Sequence, residues 1–383
     1  MSERQHEPAE ADTAQYRSKA KVPAADFCYQ MEWKGYLVND PDYFYWSHFG
    51  LQGPDGKFHL FGERVASETI KKNKAHIAWG LCKCAELAHY TADHPEGPYR
   101  FVDVPLQRGI EGEFDVSMIY PTVHQDGKRW VMMYNGIQTI GAGHCDLHNV
   151  VSEGTGHLWR GGLAVADSLA GPWHKVGEVL SPSQDPHHFT YQAAIHVPSM
   201  LPFRGKWYAY FHTGPGRSAD YGLPNWGADG TDCIGVAVAD RSEGPWKMME
   251  QPAFQQPNPG KKGGHVTVED VGAFVWNDRV YLLLSDYFGH VTGVKGGLAL
   301  FVSEDGLSFP LEQARLAADL IPAYYKAYDP HRVKIWWEPA LPNRFEAPRV
   351  MLRDGRPAYF LAGSGTNVDG GPTTSSYLLK ILT

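Results

Sequence analysis

Short runs of aromatic and β-branched residues, each entered through a turn rich in Gly or Asp, recur five times along the chain. They read Pro54-Asp55-Gly56-Lys57 before Phe58–Phe61, Asp126-Gly127-Lys128-Arg129 before Trp130–Tyr134, Arg204-Gly205-Lys206 before Trp207–Phe211, Asn277-Asp278-Arg279 before Val280–Leu284, and Asp354-Gly355-Arg356 before Pro357–Leu361. Spacings are 71 residues from Gly56 to Gly127, then 78 to Gly205, 73 to Asp278 and 77 to Gly355. A fixed period of this kind marks one supersecondary unit repeated. A second motif follows within each unit: Ala92-Asp93…Gly97-Pro98-Tyr99, Ala166-Asp167…Gly171-Pro172-Trp173, Ala239-Asp240…Gly244-Pro245-Trp246, and a degenerate Ser303-Glu304-Asp305-Gly306. An alternating run precedes each, such as Ile234-Gly235-Val236-Ala237-Val238. Each unit therefore holds two hairpins, since Gly supplies positive φ and Pro presets the turn.

Two hairpins per unit and five units predict an all-β fold, a five-bladed β-propeller with four antiparallel strands per blade. Residues 1–25 read as a flexible N-terminal tail and 26–383 as one propeller domain, with blades near 47–105, 117–180, 194–255, 267–315 and 340–383. The aromatic segment from Phe27 to Trp46 has two readings, a strand closing the ring against the last blade or a flap over the pocket.

Composition supports this picture: 41 Gly and 27 Pro among 383 residues punctuate many short strands. The net charge of −8 is spread out, and the absence of a basic stripe argues against nucleic acid. No apolar stretch is long enough to span a membrane. The polar start of the chain has no signal-like apolar region, so a cytoplasmic location is expected, or a secreted or periplasmic one if a signal was removed. The five cysteines have no ligand spacing and read as reduced thiols.

In a propeller the first strand of each blade lines the central channel. Reading back about seven residues from each turn gives Ser47-His48-Phe49, Ile119-Tyr120-Pro121, His196-Val197-Pro198, Glu269-Asp270-Val271 and Glu346-Ala347-Pro348. The first places then hold Ser47, Ile119, His196, Glu269 and Glu346, bringing two carboxylates and a histidine to one channel mouth. Paired carboxyls suit glycosidic cleavage, one protonated for the leaving group and one ionised as base or nucleophile. The bland alternative is that either glutamate pairs with Arg344 or Arg349 to hold blades together. Histidines crowd the second to fourth units and leave four readings open: acid–base work, metal binding with a carboxylate, recognition of an acidic sugar, or plain loop polarity. Trp46, Tyr120, Trp159, Tyr191 and Trp226 are candidate stacking platforms for sugar rings.

The blade motifs, with Val268-Glu269-Asp270-Val271 ahead of Phe274-Val275-Trp276, resemble the five-bladed glycoside hydrolases, the superfamily of family 43 arabinosidases and xylosidases, family 32 invertases and family 117 anhydrogalactosidases. A poorly characterised family-43-like group is especially similar, through Asp286…Gly289…Thr292-Gly293 and Arg344-Phe345-Glu346-Ala347-Pro348. The resemblance implies an exo-acting hydrolase of plant or algal oligosaccharides. The chain departs from the family 43 plan of acids on the first three blades, which hold Ser47-His48, Ile119-Tyr120 and His196-Val197 here; Asp40, Asp42 and Asp115 lie nearby. The expected catalytic set is therefore Glu269 as acid, Glu346 or Asp270 as base or nucleophile, and Asp286 or His196 tuning them. His48, Trp46, Tyr120, His124, His290 and Arg349 are expected to bind substrate. Alternatives are a lyase eliminating across a uronic acid with His or Tyr as base, and a non-catalytic sugar-binding propeller. No cofactor is required by the sequence; a central calcium ion is compatible with the architecture but has no diagnostic motif. A homo-oligomer through the N-terminal segment is a further expectation.

Overall fold

The computed structural model describes residues 20–25, 31–38, 40–72, 84–110, 112–139, 157–185, 187–190, 193–213, 233–255, 268–286, 289–294, 296–318, 346–364 and 375–382. Its strands form five antiparallel sheets arranged as propeller blades. In chain order, β1 (Met31–Tyr36) precedes blade I, which is β2 (Tyr43–Gln52), β3 (Phe58–Ala66), β4 (Glu86–Ala92) and β5 (Arg100–Asp103), with a short helix α1 (Ser67–Lys72) after β3. Blade II is β6 (Ser117–Asp126), β7 (Arg129–Thr139), β8 (His157–Ala166) and β9 (His174–Leu180). Blade III is β10 (His196–Phe203), β11 (Lys206–Thr213) and β12 (Cys233–Ala239), with its outer strand split into β13 (Lys247–Met248) and β14 (Phe254–Gln255). Blade IV is β15 (Glu269–Trp276), β16 (Arg279–Asp286), β17 (Gly297–Ser303) and β18 (Arg315–Ala318). Blade V is β19 (Glu346–Arg353), β20 (Arg356–Ser364) and β21 (Ser375–Ile381), completed by β1 from the other end of the chain. Of the two readings of the N-terminal aromatic segment, residues 31–36 take the ring-closing one: Met31 pairs with Ile381 and Tyr36 with Tyr377. Residues 20–25, assigned to the tail by sequence, run beside β18, where Ala25 donates its N–H to Leu316 at 2.8 Å and Leu316 returns one to Pro23 at 2.9 Å.

Strand alternation explains how the blades adhere. On β7, Val131 and Met133 face blade III, where they meet Met200, Ala209 and Phe211, while Met132 and Tyr134 face Phe61 and Leu87 of blade I. On β16, Val280, Leu282 and Leu284 join the blade III side, and Tyr281 and Leu283 join Phe360 and Leu379 of blade V. Both faces of a middle strand are thus buried, and each large apolar side chain removed from water contributes about 1.5–3 kcal/mol. Five such wedges close the ring.

The hairpin turns explain one difference from the sequence register. Blades III to V use two-residue turns in which both residues have positive φ where L side chains are tolerated, as at Asn277 (49°) and Asp278 (55°). In blade I, Gln52 pairs with Phe58, leaving a five-residue loop from Gly53 to Lys57. The longer loop moves the inner-strand register, so Tyr45, not Ser47, stands where Ile119, His196, Glu269 and Glu346 stand.

Candidate active site

Every inner strand carries a two-residue bulge near its N-terminal end: Trp46-Ser47, Tyr120-Pro121, Val197-Pro198, Asp270-Val271 and Ala347-Pro348. Four of these begin with a non-glycine residue in the left-handed region, Tyr120 (φ 54°), Val197 (52°), Asp270 (62°) and Ala347 (47°). Such a conformation is unfavourable for an L residue, and a bulge re-aims the side chains around it. The N–H groups freed from the ladder are taken up by side chains of the preceding blade. Glu63 accepts Tyr120 N–H at 3.0 Å, Asn135 accepts Val197 N–H at 3.0 Å, and Asp270 accepts Ala347 N–H at 3.0 Å. Glu63 also accepts Ser47 N–H at 2.8 Å. One layer deeper, Thr122 accepts Met200 N–H and Ser199 accepts Ala273 N–H. Arg349 donates from Nη1 to Val271 carbonyl oxygen at 2.8 Å, close beside Gly272, where a Cβ would lie 2.0 Å from Pro348 oxygen. These contacts lock the inner strands at fixed heights.

The bulges gather one group of side chains at this mouth of the channel. Trp46, Tyr120, Val197 and Ala347 pack with Trp159 in a single apolar cluster. Burial first, then the charges of Asp270, Glu63, Glu346 and Glu269, hold the Tyr120 pKa well above that of an ordinary phenol. His196 lies against Trp159, rings perpendicular with centroids 4.4 Å apart, and against Tyr120 at 5.9 Å. Its Nδ1 is 3.4 Å from Nδ1 of His212, its cross-strand partner. One nitrogen of each ring and an oxygen of Glu269 lie within 4.8 Å of one another. Trp46 passes directly behind Gly363, the cross-strand partner of Glu346, where a Cβ would come 2.3 Å from the Trp46 carbonyl oxygen. Arg349 is buried, its guanidinium attracted by Glu63 and Asp270, and its Nε and Nη2 have no hydrogen-bond partner among the described residues.

The structure thus brings together eight of the residues singled out from sequence: Trp46, Tyr120, Trp159, His196, Glu269, Asp270, Glu346 and Arg349. Four others have different partners. Asp286 is buried at the end of β16, where it accepts the N–H groups of His290, Val291 and Thr292 and the Thr292 hydroxyl; it organises a loop. Burial raises its pKa while those donors oppose the rise. His290 is an exposed member of that loop. His48 is buried between Tyr45, Tyr90 and Ser376, and burial lowers its pKa to about 3, which keeps it neutral. His124 sits at the opposite end of the channel, in an apolar hollow with Phe49, Trp130, Phe274 and Val350. Of the nearby acids, Asp115 is held by Tyr134 at 2.9 Å and Lys175 at 2.7 Å. Tyr191, Trp226 and Arg344 lie outside the described residues.

Glu63 carries no signal in the sequence, and His212 stands there only as one of ten histidines crowding the second to fourth units; both lie on second strands. Counting outward from the turn of blade III pairs Val197 with His212, and the bulge shifts that pairing to His196.

No protein-family model and no curated protein sequence matches the chain. Solved structures do match its fold. A family 117 glycoside hydrolase from the marine bacterium Zobellia galactanivorans superposes with a TM-score of 0.62 over 92% of this chain and 91% of its own, at 13% identity. An exo-1,5-α-L-arabinanase from a bovine ruminal metagenomic library gives 0.52 over 90% and 95%, also at 13% identity. The GH43_1 enzyme of Xanthomonas citri complexed with xylose gives 0.51 over 97% and 93%, at 12% identity. The chain therefore shares the five-bladed propeller fold on which glycoside hydrolases are built, and at these identities the likeness is one of fold.

Proposed function

We propose that this protein is a carbohydrate-active enzyme that hydrolyses a glycosidic bond at the bulge-lined mouth of its channel, releasing sugar from the end of a plant or algal oligosaccharide. The observation that carries this reading is that Glu269 and Glu346 hold the same place on adjacent blades, each the last paired residue before its inner-strand bulge, and that both are nearly buried. Two carboxyls at one site suit glycosidic cleavage, one as proton donor to the leaving group and one as base or nucleophile. The working pair in this reading is Glu346 on one side and Glu269, beside His196 and His212, on the other. Tyr120 stays a phenol and donates a hydrogen bond to substrate or to a carboxylate. Trp46 offers an apolar face. Exposures of 5–8% at Glu346, His196, Tyr120, Trp46 and Glu269 suit a pocket for a chain end better than an open groove.

Elimination from a uronic acid is the competing chemistry, because His196 and Tyr120 adjoin. The raised pKa of Tyr120 speaks against it as the base. Product masses separate the two. Incubation with neutral and uronic oligosaccharides is expected to give fragments whose summed mass exceeds the substrate by one water. Fragments summing to the substrate mass, with near-ultraviolet absorbance, would mean elimination. Binding without cleavage across the whole panel would mean a lectin-like propeller.

A further inference from the structure

We propose that Asp55, His59, His89 and Asp103 form a proton-linked latch across blade I, in which a proton held between Asp103 and His89 fastens the outer strand β5 and its loss releases that strand. The four side chains make a chain of contacts from the turn at Gly53–Lys57, over β3 and β4, to β5. His59 Nε2 lies 3.2 and 3.3 Å from the two carboxylate oxygens of Asp55. His59 Nδ1 lies 2.9 Å from His89 Nε2, and the ring planes agree within 9°, so the imidazoles meet edge to edge. His89 Nδ1 lies 3.4 Å from Oδ1 of Asp103, its cross-strand partner. Both of those atoms are buried and have no hydrogen-bond partner among the described residues. The two histidines are 3% and 1% exposed. The long turn of blade I brings Asp55 to His59, and Gly53 leaves the room: a Cβ there would lie 2.6 Å from Asp55 Oδ1 and 2.8 Å from His59 Nε2.

The proton count makes this chain titrate. Three contacts need three protons, whereas two neutral imidazoles carry one each. Whichever tautomers they adopt, one contact is left without its proton. The shorter contacts place the two protons on His59 Nε2, toward Asp55, and on His89 Nε2, toward His59. The long contact at His89 Nδ1 is the one left short. A proton on Asp103 Oδ1, donated to His89 Nδ1, completes the chain with every donor pointing toward Asp55. Burial favours that form: it raises the Asp103 carboxyl above its ordinary value, and with the charge of His59, against that of Asp55, it lowers His89 to about 3 and keeps it neutral. On the blade II side the chain meets aromatic rings, Phe61 parallel to His89 at 4.4 Å and Trp173 edge-on to Phe61. Of the other charged residues on these elements, Lys57 meets Asp55 through its backbone N–H, and Arg100 is exposed opposite Thr91. Because the folded Asp103 value is raised, its proton stabilises fully below the unfolded value of 3.8, and this is lost as pH rises through the folded value. An ionised Asp103 then sets two bare acceptors against each other, and its carboxylate, 45% exposed, turns to water. That loosens β5, a four-residue strand paired along one edge only.

The latch is independent of the proposed hydrolysis. The test uses the full chain, with isotope-labelled histidine for long-range proton–nitrogen spectra and with amide hydrogen exchange along β5, each followed from about pH 4 to about pH 9. Both imidazoles are expected as Nε2–H tautomers. Protection of the β5 amides, corrected for the intrinsic exchange rate, is expected to fall at least about tenfold as Asp103 loses its proton. Asp103→Asn supplies an NH₂ that donates to His89 Nδ1 without titrating, so its β5 protection should stay high across the range. Asp55→Asn keeps an oxygen that accepts from His59 and should leave the pH dependence of β5 in place. Circular dichroism spectra that match the wild type confirm that both variants fold, and the tautomers are read on the wild type itself. An Nδ1–H tautomer at His89, wild-type β5 protection that does not change with pH, or a pH dependence that survives in Asp103→Asn would each overturn the latch.

Discussion

Glu63 of blade I accepts the backbone N–H of Tyr120 in blade II at 3.0 Å, so a buried carboxylate of one blade fixes the bulge of the next. Burial pushes the Glu63 pKa from 4.5 up to about 7. The folded protein therefore keeps this proton over a pH range where the unfolded chain has released it. The stabilisation from that proton is full below about pH 4.5 and is lost as pH rises to about 7, an effect of at most about 3 kcal/mol. Glu63→Gln is expected to abolish this component. It should also lower stability by about 1–3 kcal/mol, because the amide turns an NH₂ toward one of two N–H donors. Urea unfolding of both proteins at several pH values measures this.

Three histidines act in the opposite sense. Burial lowers His48 and His89 to about 3 and His124 to about 4. Their unfolded forms take up protons below about pH 6.5 while the folded forms do not, so stability falls as pH drops from 6.5 toward 4. Three such groups outweigh one Glu63, and net acid lability is expected in that range. His124→Phe, placed among Phe49 and Trp207, should make the acid limb of a melting-temperature profile shallower. An unchanged limb would show that His124 titrates normally.

At Gly272 the inner strands of blades IV and V come close together. A Cβ there would meet Pro348 oxygen at 2.0 Å, and the contact lies between the strands that carry Glu269 and Glu346. Gly272→Ala is expected to lower stability by about 2–3 kcal/mol or more by forcing the strands apart, and to lower kcat with it. Thermal unfolding and turnover of the variant check both effects.

Much of the fold was legible in the sequence because turns repeat. The Asp-Gly and Gly-Pro-aromatic turns have backbone requirements that few residues meet, and they recur with the blade period. The site was only partly legible. Glu269 and Glu346 were found because they share a place relative to a two-residue turn. Blade I escaped that register because its loop from Gly53 to Lys57 is longer, which placed Ser47 where Tyr45 stands. Glu63 and His212 come from second strands, and their partners are set by bulges that no local pattern announces. Asp286 fits a family-like motif, yet its oxygens are taken by the loop that the motif builds.

Tyr120 tests whether the carboxylate cluster works on substrate. Tyr120→Phe keeps the ring that packs on His196 and removes the hydroxyl. With that donor gone, kcat is expected to fall by about 10²-fold, with a melting temperature close to that of the wild type. Unaltered kcat would assign Tyr120 to packing alone.

The most direct test is turnover by Glu346→Gln and Glu269→Gln on an oligosaccharide that the wild type cleaves with gain of one water, beside circular dichroism spectra that match the wild type. Each variant is expected to lose at least about 10²-fold in kcat, with cleavage by Glu269→Gln falling most for sugars with poor leaving groups, as befits the acid. Full turnover by both folded variants would contradict hydrolysis at this mouth of the channel.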